Sequence, residues 1–381
     1  ADSARRFASA QVDNFHRRLD QVRDGDNRSS NGLALNLGFA GEDRMNDPRA
    51  ELAQRLGLPG GRPDDRYDLD GRPIEVVNPL AAGVSDDGGQ VPGARSHAAE
   101  GEGGGSAVGL WTAGGIDWGR RDGQTGERDY RFSTSGLSAG ADMKVSDTLI
   151  LGGGLGYGYD RTKIGSDDSL SEGESWLGVI YGGWRPAEGL HISGLIGGGS
   201  LDYESRRWAS AASDFAFGER SGSLMFGSLE ASVDRTSGAM RWSPYARLET
   251  ASVTLDAFTE TGAGIYALTY DEMSFDSLSS TLGVRFGWLM QGRDSTFAPA
   301  ATVEWSHAFD DAGGQGVRYA DWASSPLYIV PLSAWSRDTL SVDLEGRWSV
   351  GSNFDLTAAY RGSVGSDMSS HGIRLRLLTR F

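Results

Sequence analysis

Ser370-His371-Gly372-Ile373-Arg374-Leu375-Arg376-Leu377-Leu378-Thr379-Arg380-Phe381, the final stretch, decides how the rest of the chain is read. Ile373, Leu375, Leu377, Thr379 and Phe381 fall on one parity, and Arg374, Arg376, Leu378 and Arg380 on the other. Successive side chains of a strand point to opposite faces, so one face is apolar and ends in an aromatic while the other carries three arginines. At the edge of a soluble sheet such a strand invites aggregation. In a membrane barrel the apolar face meets lipid and the cationic face meets a polar lumen.

Working back from this strand, the sequence from Ala107 onward reads as about twelve alternating segments separated by turn residues. Each is near the ~9–11 residues that cross a bilayer at a tilt. The third segment is the clearest. Leu149, Leu151, Leu155, Tyr157 and Tyr159 share one parity, and Gly152, Gly154, Gly156 and Gly158 the other. The glycine face either leaves room inside a barrel for something bulky, such as a helix, or serves sheet curvature. The same alternation places Leu110, Ile116 and Trp118 of the first strand on the lipid side. It does so for Leu137 and Met143 of the second, Trp176, Ile180 and Trp184 of the fourth, and Leu195, Leu201 and Tyr203 of the fifth. Leu229 and Val233 mark the sixth, Trp242 and Leu248 the seventh, and Leu278, Leu282 and Trp288 the eighth. Val303 and Trp305, Leu344 and Trp348, and Leu356 and Tyr360 mark the ninth to eleventh.

Two features favour a membrane over a soluble sandwich. Trp118, Tyr159, Trp184, Trp242, Trp288, Trp348, Tyr360 and Phe381 stand near strand ends, as interfacial aromatic girdles do. Connections alternate between short ones, as at Val145-Ser146-Asp147, and longer ones at 120–128, 163–172, 205–217, 257–270, 310–336 and 364–370. Short periplasmic turns and long extracellular loops have that rhythm.

Composition bounds the alternatives. The 381 residues include 56 glycines and no cysteine, which excludes disulfides and thiolate metal sites. The net charge of -16 argues against nucleic-acid binding, which needs a basic face. No apolar run is long enough for a transmembrane helix. The histidines, His16, His97, His191, His307 and His371, show no metal-ligand spacing, and no Gly-x-Ser-x-Gly elbow is present. No catalytic residue, cofactor or metal is therefore expected. Ser306-His307 is the one pair a barrel phospholipase could use, but neighbours on a strand face opposite ways.

Residues 1–24 read as a helix. Phe7, Val12, Phe15, Leu19 and Val22 form one helical face, and Arg5, Arg6, Arg17, Arg18 and Arg23 cover much of the rest. The pattern suits a helix against a partly polar wall, and equally an amphipathic surface or coiled-coil helix. Residues 25–106 hold Pro48, Pro59, Pro63, Pro73, Pro79 and Pro92, more than half of the 11 prolines, and read as a largely irregular connector. Within it, 33–39 could form a short strand and 49–56 a helix.

Two stretches carry a family resemblance. The aromatic-terminated last strand resembles that of bacterial outer-membrane barrels. Gln11-Val12-Asp13-Asn14-Phe15-His16-Arg17-Arg18-Leu19-Asp20-Gln21-Val22-Arg23-Asp24 is similar to the linker helix of type Va autotransporters. The resemblance implies a translocator domain in the bacterial outer membrane: a barrel of about twelve strands, 107–381, threaded by its own helix, which exports and anchors an upstream passenger. It further implies recognition of Phe381, Leu377 and Leu375 by the barrel-assembly machinery, a lipid environment and a monomer. In some members the helix cuts itself between two asparagines. Here Asp13-Asn14 stands at that place, so the linker is expected to stay intact. Arg247, Glu249, Glu304, Glu345, Arg347 and Arg374 are expected to form a lumen charge network that either holds the helix or merely solvates the wall. A channel or porin with an open lumen is the alternative function.

Overall fold

The computed structural model describes residues 2–23, 108–123, 128–292, 295–309, 313–322, 324–331, 336–350, 354–366 and 368–379. The connector with its 33–39 and 49–56 segments and Phe381 lie outside the described residues, as do the side chains of Val22, Arg374, Leu375 and Leu377.

Helix α1 runs from Asp2 to Arg23. Glycine and proline are absent from it, and Asp2 in the first turn and Arg23 in the last complement the helix dipole. Twelve antiparallel strands follow: β1 Val108–Arg121, β2 Tyr130–Lys144, β3 Leu149–Ile164, β4 Ser169–Ala187, β5 Leu190–Ala209 and β6 Asp214–Val233. The second half comprises β7 Met240–Leu255, β8 Met273–Trp288, β9 Ser295–Ala308, β10 Asp338–Val350, β11 Phe354–Val364 and β12 Met368–Thr379. Each pairs with its sequence neighbour, and β1 pairs with β12, so the sheet closes into a barrel without a crossover. Closure satisfies strand edges internally, a requirement for backbone in hydrocarbon.

Strands β1 to β11 carry large apolar side chains on their outer face. Leu137, Leu155, Ile180, Met225, Leu282 and Leu344 are all exposed. A water-soluble protein rarely shows a contiguous apolar surface of that extent. The aromatic residues at strand ends frame it, with Trp118 and Tyr360 toward one rim and Trp184, Trp288 and Trp348 toward the other.

Two expectations need correction. On β5, Leu195, Leu201 and Tyr203 point into the barrel, the two leucines at 7% and 0% exposure and Tyr203 beside Phe7 at 6.5 Å, while Ile196 faces out at 59%. Both parities of this strand are apolar, and the inner one is buried against the helix, so alternation alone chose the wrong face. The expected long connections at 163–172 and 205–217 are strand for most of their length. They close in tight turns at 165–168 and 210–213, where Gly165, Asp168 and Ser213 take positive φ. The extra length is ladder that continues past the apolar band, because residues such as Lys163 and Arg206 keep pairing across it.

The connections β7–β8 and β9–β10 build a second, four-stranded sheet from Phe258–Thr259, Leu268–Tyr270, Gly314–Tyr319 and Tyr328–Pro331. Arg207 of β5 anchors it, donating to both Glu260 oxygens at 2.8 and 2.6 Å. Arg220 of β6 donates to the carbonyls of Asp256, Leu255 and Asp271 and to Gln315 Oε1.

Candidate functional site

The site is the barrel interior and the helix inside it. Asp2 lies at the rim of the tight 165–168 and 210–213 turns, bonded to Arg121 at 3.4 Å and to Tyr130. At the opposite rim the Arg23 carbonyl accepts from Arg185 at 3.5 Å. The helix therefore spans the pore from end to end.

One face of the helix is seated in an apolar core. Ala4, Phe7, Ala8, Val12, Phe15 and Leu19 are buried against Trp111, Leu177, Tyr181, Leu201, Leu224 and Phe226. Phe15 meets Trp111 edge-on at 5.0 Å and Tyr181 at 5.3 Å. The glycine face of β3 makes this approach possible. A Cβ on Gly154 would stand 2.9 Å from the Phe15 ring, and one on Gly158 would stand 2.6 Å from Phe7.

Polar contacts flank that core on two opposing walls. On the β2–β3 wall, Arg6 donates to both Asp160 oxygens at 2.9 and 2.8 Å and to Thr134 and Thr162, and stacks on Phe132 at 4.2 Å. Arg18 grips Asp142 at 2.6 and 2.9 Å, and Tyr181 donates to the same carboxylate at 2.9 Å. Gln11 and Asn14 both bond Ser138, at 2.7 and 2.8 Å. On the β6–β11 wall the helix presents acids. Asp13 meets Arg361 at 2.8 Å, Asp20 meets Arg285 at 3.5 Å, and His16 shares a 2.7 Å hydrogen bond with Ser228. Wall acids continue the network: Arg361 to Glu304 at 2.9 Å, Arg285 to Glu230 at 2.8 Å, and Arg247 to Glu249 at 3.2 Å and Glu304 at 3.4 Å. Tyr245 bonds Glu304. A cavity of about 330 Å³ remains between the helix and this wall, lined in part by Asp343, Glu345 and Arg347.

Of the residues singled out in the sequence, Phe7, Val12, Phe15 and Leu19 lie together in the core. Arg247, Glu249 and Glu304 meet in one network, and Glu345 and Arg347 line the remaining cavity. Asn14 donates to Ser138 on the β2 wall at 2.8 Å. Ser306 bonds Thr281 at 2.8 Å while His307, on the other face, bonds Asp338 at 3.0 Å, so the two do not act on one substrate atom. Sequence reading missed Asp142, Asp160, Asp13 and Asp20 as pairing groups. The inward parity of Asp142 and Asp160 was a usable signal, since both share the face of neighbouring small residues.

A closed twelve-stranded antiparallel barrel with an apolar outer belt and one helix lying in its interior is the architecture of an outer-membrane barrel. The autotransporter beta-domain family model matches residues 110–361, and the chain belongs to that family. Among solved structures, the translocator domain of autotransporter NalP from Neisseria meningitidis is similar, with a TM-score of 0.58 and 16% identity over 74% of this chain and 90% of that one. The beta domain of the Bordetella autotransporter BrkA follows at 0.51 and 17%, over 72% of this chain and 100% of that one. At these identities the likeness speaks for the fold. The curated proteins contain no match. The chain is thus an outer-membrane translocator domain, and its family implies an attached passenger.

Proposed function

We propose that α1 is the resident plug of the pore and the permanent tether of the passenger. The observation that carries this reading is the two-sided charge match. Cations Arg6 and Arg18 face wall acids, and acids Asp13 and Asp20 face wall cations. A buried charge is tolerated only when paired, so a shifted or rotated helix would strand several at once. The match fixes both rotation and depth. An open porin has no need of it. The test is planar-bilayer conductance of the chain with and without residues 1–24: removal raises conductance several-fold, and equal conductance would return the porin reading.

The tether stays whole in this reading. Asparagine cyclisation requires a side-chain amide nitrogen attacking its own backbone carbonyl. Asp13 has none, and its carboxylate is engaged by Arg361. Asn14 has one, but it donates to Ser138 while its oxygen accepts from Arg17 at 2.9 Å, within a continuous helix. Mass spectrometry of the barrel carrying a short upstream extension should find an intact linker; a new N-terminus at Asn14 or Phe15 would overturn this. Autotransporter translocators are typically non-enzymatic, and this one works by position and charge alone. The terminal strand with Leu375, Leu377 and Phe381 serves as the signal for the barrel-assembly machinery, and the barrel sits in lipid as a monomer.

A further inference from the structure

We propose that the outer face of β1–β3, just above the aromatic girdle on the extracellular side, binds the phosphorylated headgroup of the outer-leaflet glycolipid. The ladder sets three cations side by side. Arg120 of β1 lies directly opposite Arg131 of β2, and Arg131 directly opposite Lys163 of β3. All three share the parity of lipid-facing residues on their strands, Leu110, Leu137 and Leu155, and all three are exposed. Arg161 adds a fourth cation on the same face of β3. Like charges directly opposite one another are destabilising in a sheet, a cost that an added anion would lower.

Depth supplies the identity of that anion. Arg120 stands one outward step beyond Trp118, and Arg161 one outward step beyond Tyr159. One such step is about 6–7 Å along a strand, and about 5 Å in height at the usual tilt. Girdle aromatics sit at headgroup level, so these cations lie where headgroup phosphates begin. In the outer leaflet of this membrane those phosphates belong to a glycolipid. Neighbouring strands are about 4.8 Å apart, so the row spans about 10 Å, enough for more than one phosphate.

The surroundings confine the site. Arg120 also touches Asp122 at 2.7 Å and Asp129 at 3.9 Å, Arg128 pairs with Asp167, and Arg161 lies 3.8 Å from Glu172. Such exposed pairs hold weakly and exchange readily for a phosphate. One row below Lys163, β4–β6 carry Glu172, Glu204 and Glu219, and the next row down carries Glu174 and Asp202, while the Lys163 row itself continues through Leu170 to the exposed Arg206. On the other side β12 offers Ser369 and His371. Acids thus disfavour phosphate below the row on β4–β6, while the row itself stays free of acids as far as Arg206.

The experiment is native mass spectrometry of the full chain in detergent with bisphosphoryl lipid A, its dephosphorylated form, phosphatidylglycerol and excess inorganic pyrophosphate. Bisphosphoryl lipid A should be retained, the dephosphorylated form lost, phosphatidylglycerol held at least ~10-fold more weakly, and pyrophosphate unable to displace the glycolipid. A variant carrying Arg120→Gln, Arg131→Gln and Lys163→Gln, checked for folding by its heat-modifiable mobility, should bind roughly 100-fold more weakly. Equal retention by the folded variant, or of dephosphorylated lipid A by the unaltered chain, would overturn the proposal. Equal affinity for phosphatidylglycerol, or displacement by pyrophosphate, would overturn the glycolipid as the ligand.

Discussion

Asp160 shows how much a single inward-facing carboxylate can decide. It is 1% exposed, takes two hydrogen bonds from Arg6, and receives Thr134 and Thr162 as further donors. Removing one partner of such a pair leaves the other charge buried and uncompensated, which costs about 3 kcal/mol or more. Asp160→Asn should therefore loosen the extracellular half of α1. The readout is frequent brief openings in single-channel records, with the heat-modifiable barrel retained; records as quiet as those of the unaltered chain would contradict it. Asp234 makes a second residue-scale case, in the periplasmic turn after β6. Burial alone would raise its pKa, but bonds from His191, Ser243 and Arg241 outweigh burial and hold the carboxyl well below the usual range. A lowered carboxylate pKa contributes stability that is complete above the unfolded value near ~4 and is lost as pH falls through the folded one. Asp234→Asn should thus lower the heat-modification temperature at neutral pH and flatten its decline below about pH 4. An unchanged acid slope would show that Asp234 does not couple to stability.

At the level of elements, the strands were legible in the sequence because lipid on one side imposes alternation that a soluble sheet need not keep. The lumen network was legible in part: parity put Arg247, Glu249 and Glu304 inside. What each would meet was not legible, because parity says which way a side chain points and nothing about what fills the pore. That is why Leu195 and Leu201 were assigned to lipid. Helix and lipid are both apolar partners, and alternation cannot distinguish them. The second sheet went unread for another reason. Its strands are two to six residues long and gain order from anchors on β5 and β6, which no local pattern reveals. The Glu260 side chain is buried, held by Arg207 and by the Leu268 amide at 3.0 Å. Glu260→Ala should cost this sheet about 2 kcal/mol or more by leaving Arg207 without its principal acceptor. Added protease should then cut within 257–271 on intact cells while the barrel keeps its heat-modifiable mobility. Resistance equal to that of the unaltered chain would place the sheet's stability elsewhere.

For the whole molecule, the closing seam carries the shortest ladder between neighbouring barrel strands among the described residues. Among the described residues β1 pairs with β12 only from Asp117 to Arg121, against Gly372 to Met368. On its other edge β1 pairs with β2 along its full length, Val108 to Arg121. A shorter ladder makes the seam the place where opening costs least, since each region opens with its own free energy. A covalent link there should therefore raise the barrel's resistance more than one placed where the ladder is already long. The chain has no cysteine, so an engineered pair has no competing thiols. Asp117 and Gly372 are direct partners, and a Cβ on Gly372 would stand 2.5 Å from Asp117 Oδ1, so side chains at the two positions point at each other. Directly opposed residues lie about 4.5–5.5 Å apart at Cα, within the range a disulfide accepts. Asp117→Cys with Gly372→Cys should raise the heat-modification temperature by several degrees when oxidised, consistent with a cross-link worth about 2–4 kcal/mol, and return to baseline on reduction. Thr112→Cys with Ala139→Cys, opposed across β1–β2, is the comparison and should shift it much less. Equal shifts from the two disulfides would mean that the barrel does not open first at its seam.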